Sequence, residues 1–197
     1  MRKQHVRLDG RYVTFEYIAK SGKDRIQSIV DPAVFEVVTA LKRRRSGGEE
    51  LLAYRVGGEW RDVKSMDINV YLKEVSGGNY SAKDFRTWHA TVLAARALAI
   101  SKQALGSKTA RKRAVSRAIQ EVAHYLGNTP AVCRKSYVDP RVIDRYESGV
   151  TIYPAIEKLG EDDFDEPAMR EVFEEAVLDL VEEKKSSLVE KTSRVAS

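Results

Sequence analysis

A chain of 197 residues suits one domain or one and a half and can bury its own core, which excludes a disulfide miniprotein. Charged residues at 32% beside 43% hydrophobic ones indicate a folded, water-soluble protein, and no apolar run approaches the ~18 residues of a spanning helix. The net charge of +5 hides a division: residues 151–197 carry 13 acidic and 6 basic side chains, whereas residues 1–150 carry 28 basic and 16 acidic ones.

In chain order, His5–Leu8 and Arg11–Ile18 alternate in character around Asp9-Gly10, a strong hairpin signal. Lys20-Ser21-Gly22-Lys23-Asp24 makes a second turn before Arg25–Val30, so the opening reads as a three-stranded meander. Asp31-Pro32 caps and starts a helix with Val34, Phe35, Val38 and Leu41 on one face, ending at Ser46-Gly47-Gly48. Leu51–Tyr54 reads as a short extended segment and Val56–Trp60 as a loop. Ser65 caps a helix over Met66–Glu74. Ser81-Ala82-Lys83-Asp84 is close to a capping box and opens a long helix through Phe85, Trp88, Val92, Ala95 and Leu98. Further helices are predicted from Thr109 to about Leu126, from Thr129-Pro130 to about Tyr137, and from Asp139-Pro140 to Tyr146. The acidic segment from Pro167 to about Lys185 has Met169, Val172, Phe173, Ala176, Val177 and Leu180 on one stripe. The expected fold class is α+β, mostly helical, with a small N-terminal antiparallel sheet ahead of a helical core.

Several chemistries lack a signature. No phosphate-binding Gly-rich loop, dinucleotide fingerprint, His-Glu-x-x-His or Gly-x-Ser-x-Gly occurs. His5, His89 and His124 are far apart without paired acids and read as surface or packing residues. The single cysteine, Cys133, permits no intrachain disulfide and reads as a packing residue, and Trp60 and Trp88 read as core or interface aromatics. With no apolar leader behind Met1, a cytoplasmic location is expected. The densest basic run, Lys102 to Arg117, holds Lys102, Lys108, Arg111, Lys112, Arg113 and Arg117 and no acid. It suits a polyanion bound in a salt-sensitive way, or it is simply a solvated helix face.

Two stretches carry more. Ser81-Ala82-Lys83-Asp84-Phe85-Arg86-Thr87-Trp88 and Leu126-Gly127-Asn128-Thr129-Pro130-Ala131-Val132-Cys133-Arg134-Lys135-Ser136-Tyr137 resemble the catalytic domain of type IB DNA topoisomerases, in the bacterial, poxvirus-like branch. The resemblance covers about residues 2–145 and implies a DNA breaking-rejoining fold, similar to that of tyrosine recombinases. It also implies an enzyme that cuts one strand of double-stranded DNA through a 3′-phosphotyrosyl link and rejoins it, relaxing supercoils without ATP, nucleotide cofactor or obligatory metal. By this resemblance Tyr137 is the nucleophile, Arg86 the arginine of the Lys-Asp-x-Arg-Thr motif, Asn128 the residue before Thr-Pro that is histidine in some members, and Lys20 the general acid, with Lys23 as the alternative. Lys23, Lys108, Arg111, Lys112, Arg113, Arg134 and Lys135 are expected to contact DNA. A monomer located with the nucleoid, away from membranes, is expected.

These residue types suit the chemistry. Attack on a phosphodiester builds negative charge on two non-bridging oxygens, which a planar guanidinium grips with two parallel bonds. An amide adds a neutral donor, and losing one such donor typically costs ~10²–10³ in rate. A tyrosine hydroxyl, ordinarily titrating near pH 10, needs cations around it to favour the phenolate, and the leaving alkoxide needs a proton from a lysine. Nine positions separate Asn128 from Tyr137, so one continuous helix would hold them on opposite faces; Thr129-Pro130, by starting a new helix, lets them converge.

The resemblance is incomplete. The family's further arginine, upstream of the hairpin, has no counterpart among Arg2, Arg7 and Arg11, and the amino-terminal DNA-clamping lobe is absent. A catalytic fragment with weak or no relaxation activity of its own is therefore expected: a catalytic domain at 1–150, an acidic helical extension at 151–185 that packs on the core or covers part of the basic face, and a flexible tail at 186–197. Two alternatives stand beside this reading: a site-specific tyrosine recombinase, disfavoured because Lys83 stands where that family usually has histidine, and a non-catalytic DNA-binding module with a structural Tyr137.

Overall fold

The computed structural model describes residues 1–19, 22, 24–101, 106–157, 167–183 and 189. Lys20, Lys23, Lys102, the side chain of Met169 and, Val189 apart, the tail from 186 lie outside the described residues. The chain divides into two compact units, 1–80 and 81–197.

In the first unit β1 (Val6–Asp9), β2 (Tyr12–Ile18) and β3 (Asp24–Val30) form the antiparallel meander, with Val6 opposite Phe15 and Val13 opposite Ile29. Alternation puts Val6 and Val13 on the covered face, where they meet Val38 of α1 (Pro32–Arg43) and Leu51. Asp31 Oδ1 accepts the Val34 N–H at 3.0 Å, and Pro32 occupies the first helical position. The segment read as a loop at Val56–Trp60 is instead part of a hairpin. Here β4 (Ala53–Val56) pairs with β5 (Glu59–Asp62), and Gly57 and Gly58, at φ +57° and +90°, make a two-residue turn. The two glycines look like a breaker in sequence, but positive φ at both positions is what a tight hairpin turn requires. Arg44 and Arg55 both approach the Trp60 ring, their guanidinium carbons 5.2 and 5.8 Å from its centroid. Next in the chain, α2 (Ser65–Ser76) starts one residue before its expected beginning. Its cap is Lys64, whose N–H donates to the Asp67 carboxylate at 2.7 Å, and Gly77 in the left-handed region closes it.

The second unit is helical: α3 (Ala82–Ile100), α4 (Lys108–Leu126), α5 (Pro130–Ser136), α6 (Pro140–Glu147), α7 (Tyr153–Glu157) and α8 (Pro167–Glu182). Small residues on α3 (Ala90, Ala94, Ala95, Ala99) and α4 (Ala114, Ala118, Ala123) are buried, which lets these two helices pack closely. The acidic helix α8 packs on the core, burying Phe173, Ala176, Val177, Leu180 and Val181 against α3, α6 and α7. Arg96 of α3 lies 4.5 Å from the centroid of the Phe173 ring. Among the described residues no helix is long and apolar enough to cross a membrane.

Candidate active site

Arg86 stands in the first turns of α3, a start secured by Asp84, whose carboxylate accepts the Ser81 N–H at 2.8 Å and the Ser81 hydroxyl at 2.7 Å. These bonds hold the Asp84 carboxyl below its usual range. At the far end of the neighbouring helix, α4 terminates on Gly127 at φ +71°, and the Asn128 N–H returns to the Ala123 carbonyl at 2.9 Å. The Leu126 carbonyl accepts from the Arg86 guanidinium, so a cation meets the negative end of the α4 dipole.

Asn128 therefore sits in the three-residue link between α4 and α5, where its half-buried side chain leaves Nδ2 enclosed with no hydrogen-bond partner among the described residues. Thr129 caps α5 by accepting the Val132 N–H at 3.3 Å, and Pro130 supplies the first helical residue. A single buried side chain, Cys133, seats this short helix, and burial pushes its thiol pKa up. Tyr137 closes α5 at φ −132°, ψ −25° and is half-buried. The Arg86 guanidinium carbon lies 5.3 Å from the centroid of the Tyr137 ring.

The structure thus sets Arg86 against the Tyr137 ring and against the end of α4, two residues before Asn128. Arg134 and Lys135 are exposed on α5 immediately before Tyr137, and Lys135 also lines a groove of about 510 Å³ beside it, walled by Trp88, Leu178 and Val181. Lys108, Arg111 and Lys112 lie elsewhere. They line a concavity of about 260 Å³ with Glu147, where Arg111 Nη1 donates to the Glu147 carbonyl at 2.7 Å. At ~1.5 Å per residue this end of α4 is roughly 27 Å from Leu126 along the axis. Arg113 is exposed on the same helix.

Sequence reasoning missed Thr91, Asp139 and Arg141. Buried Thr91 accepts the Asp139 N–H on Oγ1 at 3.1 Å and donates from the same atom to the Thr87 carbonyl at 2.9 Å. Asp139 and Arg141 pair at 2.6 Å, which holds the Asp139 carboxyl below its usual range. The Asp139-Pro140 helix start was legible, but its fastening to α3 depends on a contact 48 positions away.

Two comparisons bear on this arrangement. The chain is 27% identical over 172 residues, covering 84% of itself, to the DNA topoisomerase 1B of Acanthamoeba polyphaga mimivirus, and it spans 50% of that relative's length. Residues 1–158 match the family described as eukaryotic DNA topoisomerase I, catalytic core. That match takes in both units and every element from β1 to α7, and by it the chain belongs to the type IB DNA topoisomerase family, as a catalytic domain.

Proposed function

We propose that this chain breaks and rejoins one strand of double-stranded DNA, with Tyr137 as nucleophile. The Tyr137 oxygen attacks a backbone phosphorus, the bond to the 5′-oxygen breaks, and a 3′-phosphotyrosyl link forms. The reverse attack by the 5′-hydroxyl restores the phosphodiester and frees the tyrosine. Because the covalent link retains the ester's energy, the cycle needs no ATP.

One observation carries the reading most directly. Arg86 lies against the Tyr137 ring, and Asn128, two residues beyond the carbonyl that Arg86 binds, has an enclosed Nδ2 with no partner among the described residues; both are donors suited to the two non-bridging oxygens that gain charge in the transition state. An enclosed amide donor without a partner costs stability in the free protein, ordinarily ~1–3 kcal/mol, and a phosphate oxygen would satisfy it. Arg86, fixed at the end of α4, is preorganised to meet that phosphate. Arg134 and Lys135, exposed on α5 just before Tyr137, would hold the backbone next to the scissile link, while Lys108, Arg111, Lys112 and Arg113 would engage DNA further along. By the family resemblance the leaving 5′-oxygen would take its proton from Lys20 or Lys23, which stand between β2 and β3 in the sequence.

The test is covalent trapping on a nicked suicide duplex in EDTA without ATP. Sulfur at the 5′-bridging position of the scissile phosphate lets the leaving group depart without a proton, which isolates the attack step. A denaturation-resistant protein–DNA band on the 3′ side, absent in Tyr137→Phe, is the expected result. Salt-dependent binding without any adduct, even when the chain is joined to the family's upstream lobe with its further arginine, would overturn the catalytic reading in favour of a binding module.

A further inference from the structure

A chain of hydrogen bonds runs from the last turn of α8 to Thr91, beside the carbonyl of Tyr137. Arg141 Nη1 donates to the Val181 carbonyl at 3.2 Å. The same guanidinium binds both Asp139 carboxylate oxygens, through Nε at 3.0 and 3.2 Å and Nη2 at 2.6 Å. The Asp139 N–H donates to Thr91 Oγ1, and that oxygen lies 3.4 Å from the Tyr137 carbonyl.

We propose that Arg141 is a positioning residue which makes α8 an anchor for the Tyr137 loop; this rests on the proposed role of Tyr137. The loop needs an anchor. Helix α5 is seven residues long with one buried side chain, and only Tyr137, Val138 and Asp139 separate it from α6. A reacting oxygen displaced by about 1 Å can cost ~10² in rate, so fixing this peptide matters more to the chemistry than to folding. Helix α8 can serve, because Phe173, Val177 and Leu180 are each at most 2% exposed and hold it on the core. Its position beyond residue 158 places it outside the family match, although Thr91, Asp139 and Arg141 lie within it. Leu178, Val181 and Glu182 also wall the groove beside Tyr137, so a shift of this helix end would alter the space next to the nucleophile. The Arg141 side chain remains 57% exposed, so water competes for its bonds and the expected effect is moderate.

The test uses the full chain and its Arg141→Ala and Arg141→Lys variants with two readouts. The first is single-turnover adduct formation at saturating bridging-sulfur duplex, with DNA affinity measured alongside. The second, independent of any activity, is hydrogen exchange of the Asp139 amide. Expected for Arg141→Ala are about tenfold slower adduct formation, DNA affinity within about twofold, and Asp139 exchange at least about fivefold faster while α4 amides are unchanged. Arg141→Lys should recover part of both, since an ammonium can still donate to the Val181 carbonyl. An adduct rate within twofold of the parent, or weakened DNA binding at an unchanged saturating rate, overturns the proposal. If the parent chain forms no adduct even when joined to the family's upstream lobe, the reading of Tyr137 fails instead. Unchanged Asp139 exchange then overturns the anchoring by itself.

Discussion

Replacing Thr91 by valine tests how the segment after Tyr137 is held. The two side chains have nearly the same volume, so packing on α3 is preserved while the Oγ1 acceptor is lost. Thr91 is 2% exposed, and its oxygen accepts the Asp139 N–H at 3.1 Å, so the substitution leaves that N–H facing a methyl group. Stranding a buried donor costs ~1–3 kcal/mol, and the new methyl returns part of it through burial, giving a net loss of about 1–2 kcal/mol. The Thr87 carbonyl also loses its bond to Thr91, but it keeps its place in the helix ladder and adds little. Urea unfolding followed by Trp88 emission, which reports on the second unit, measures the change, and Thr91→Ser should recover more than half of it. A valine variant as stable as the parent would show instead that the Asp139 N–H does not depend on this oxygen.

Further predictions concern both units. Phe173→Ala removes a 2% exposed ring from beneath α8 and should cost about 3–5 kcal/mol in the second unit, read as a lowered unfolding midpoint. In the first unit, Gly47→Ala meets two obstacles: φ is +82°, and a Cβ would come within 2.3 Å of the Trp60 side chain. Gly48, at φ +74° with open space around it, meets only the first, so Gly47→Ala should destabilise by clearly more than Gly48→Ala in thermal unfolding. The His89 imidazole titrates below its ordinary range because of desolvation first and the Arg170 charge second, with Glu174 opposing. The unfolded chain then binds the proton more readily, so stability should fall as pH drops below about 6.5. Melting of the parent and of His89→Gln between pH 7.5 and 5.5 checks this, and the variant should show the shallower decline.

The helices were legible in sequence wherever a capping residue and an apolar stripe agreed. Asp31-Pro32, Ser81 with Asp84, and Thr129-Pro130 each mark a helix start within a residue of where it lies. The β4–β5 hairpin was not legible, because Gly57-Gly58 signals a break without saying whether the flanking strands pair. Arg86, Asn128 and Tyr137 stand out by motif, and the new helix expected at Thr129-Pro130 is present as α5. Thr91 and Arg141 were not, because their roles consist of contacts with backbone 48 and 40 positions away, and residue type alone does not show such a partner. The acidic charge of 151–197 left two placements open for α8, and its buried Phe173, Val177 and Leu180 decide for the core.

The central claim concerns a single oxygen, and peptide mass mapping of the trapped complex addresses it most directly. Trypsin should release residues 136–141 as one fragment, cut after Lys135 and after Arg141. After nuclease digestion of the adduct, the account predicts that this fragment carries the mass of a nucleotide 3′-phosphate on Tyr137. Nucleotide mass on any other residue, or its absence from a complex that resists denaturation, would contradict it.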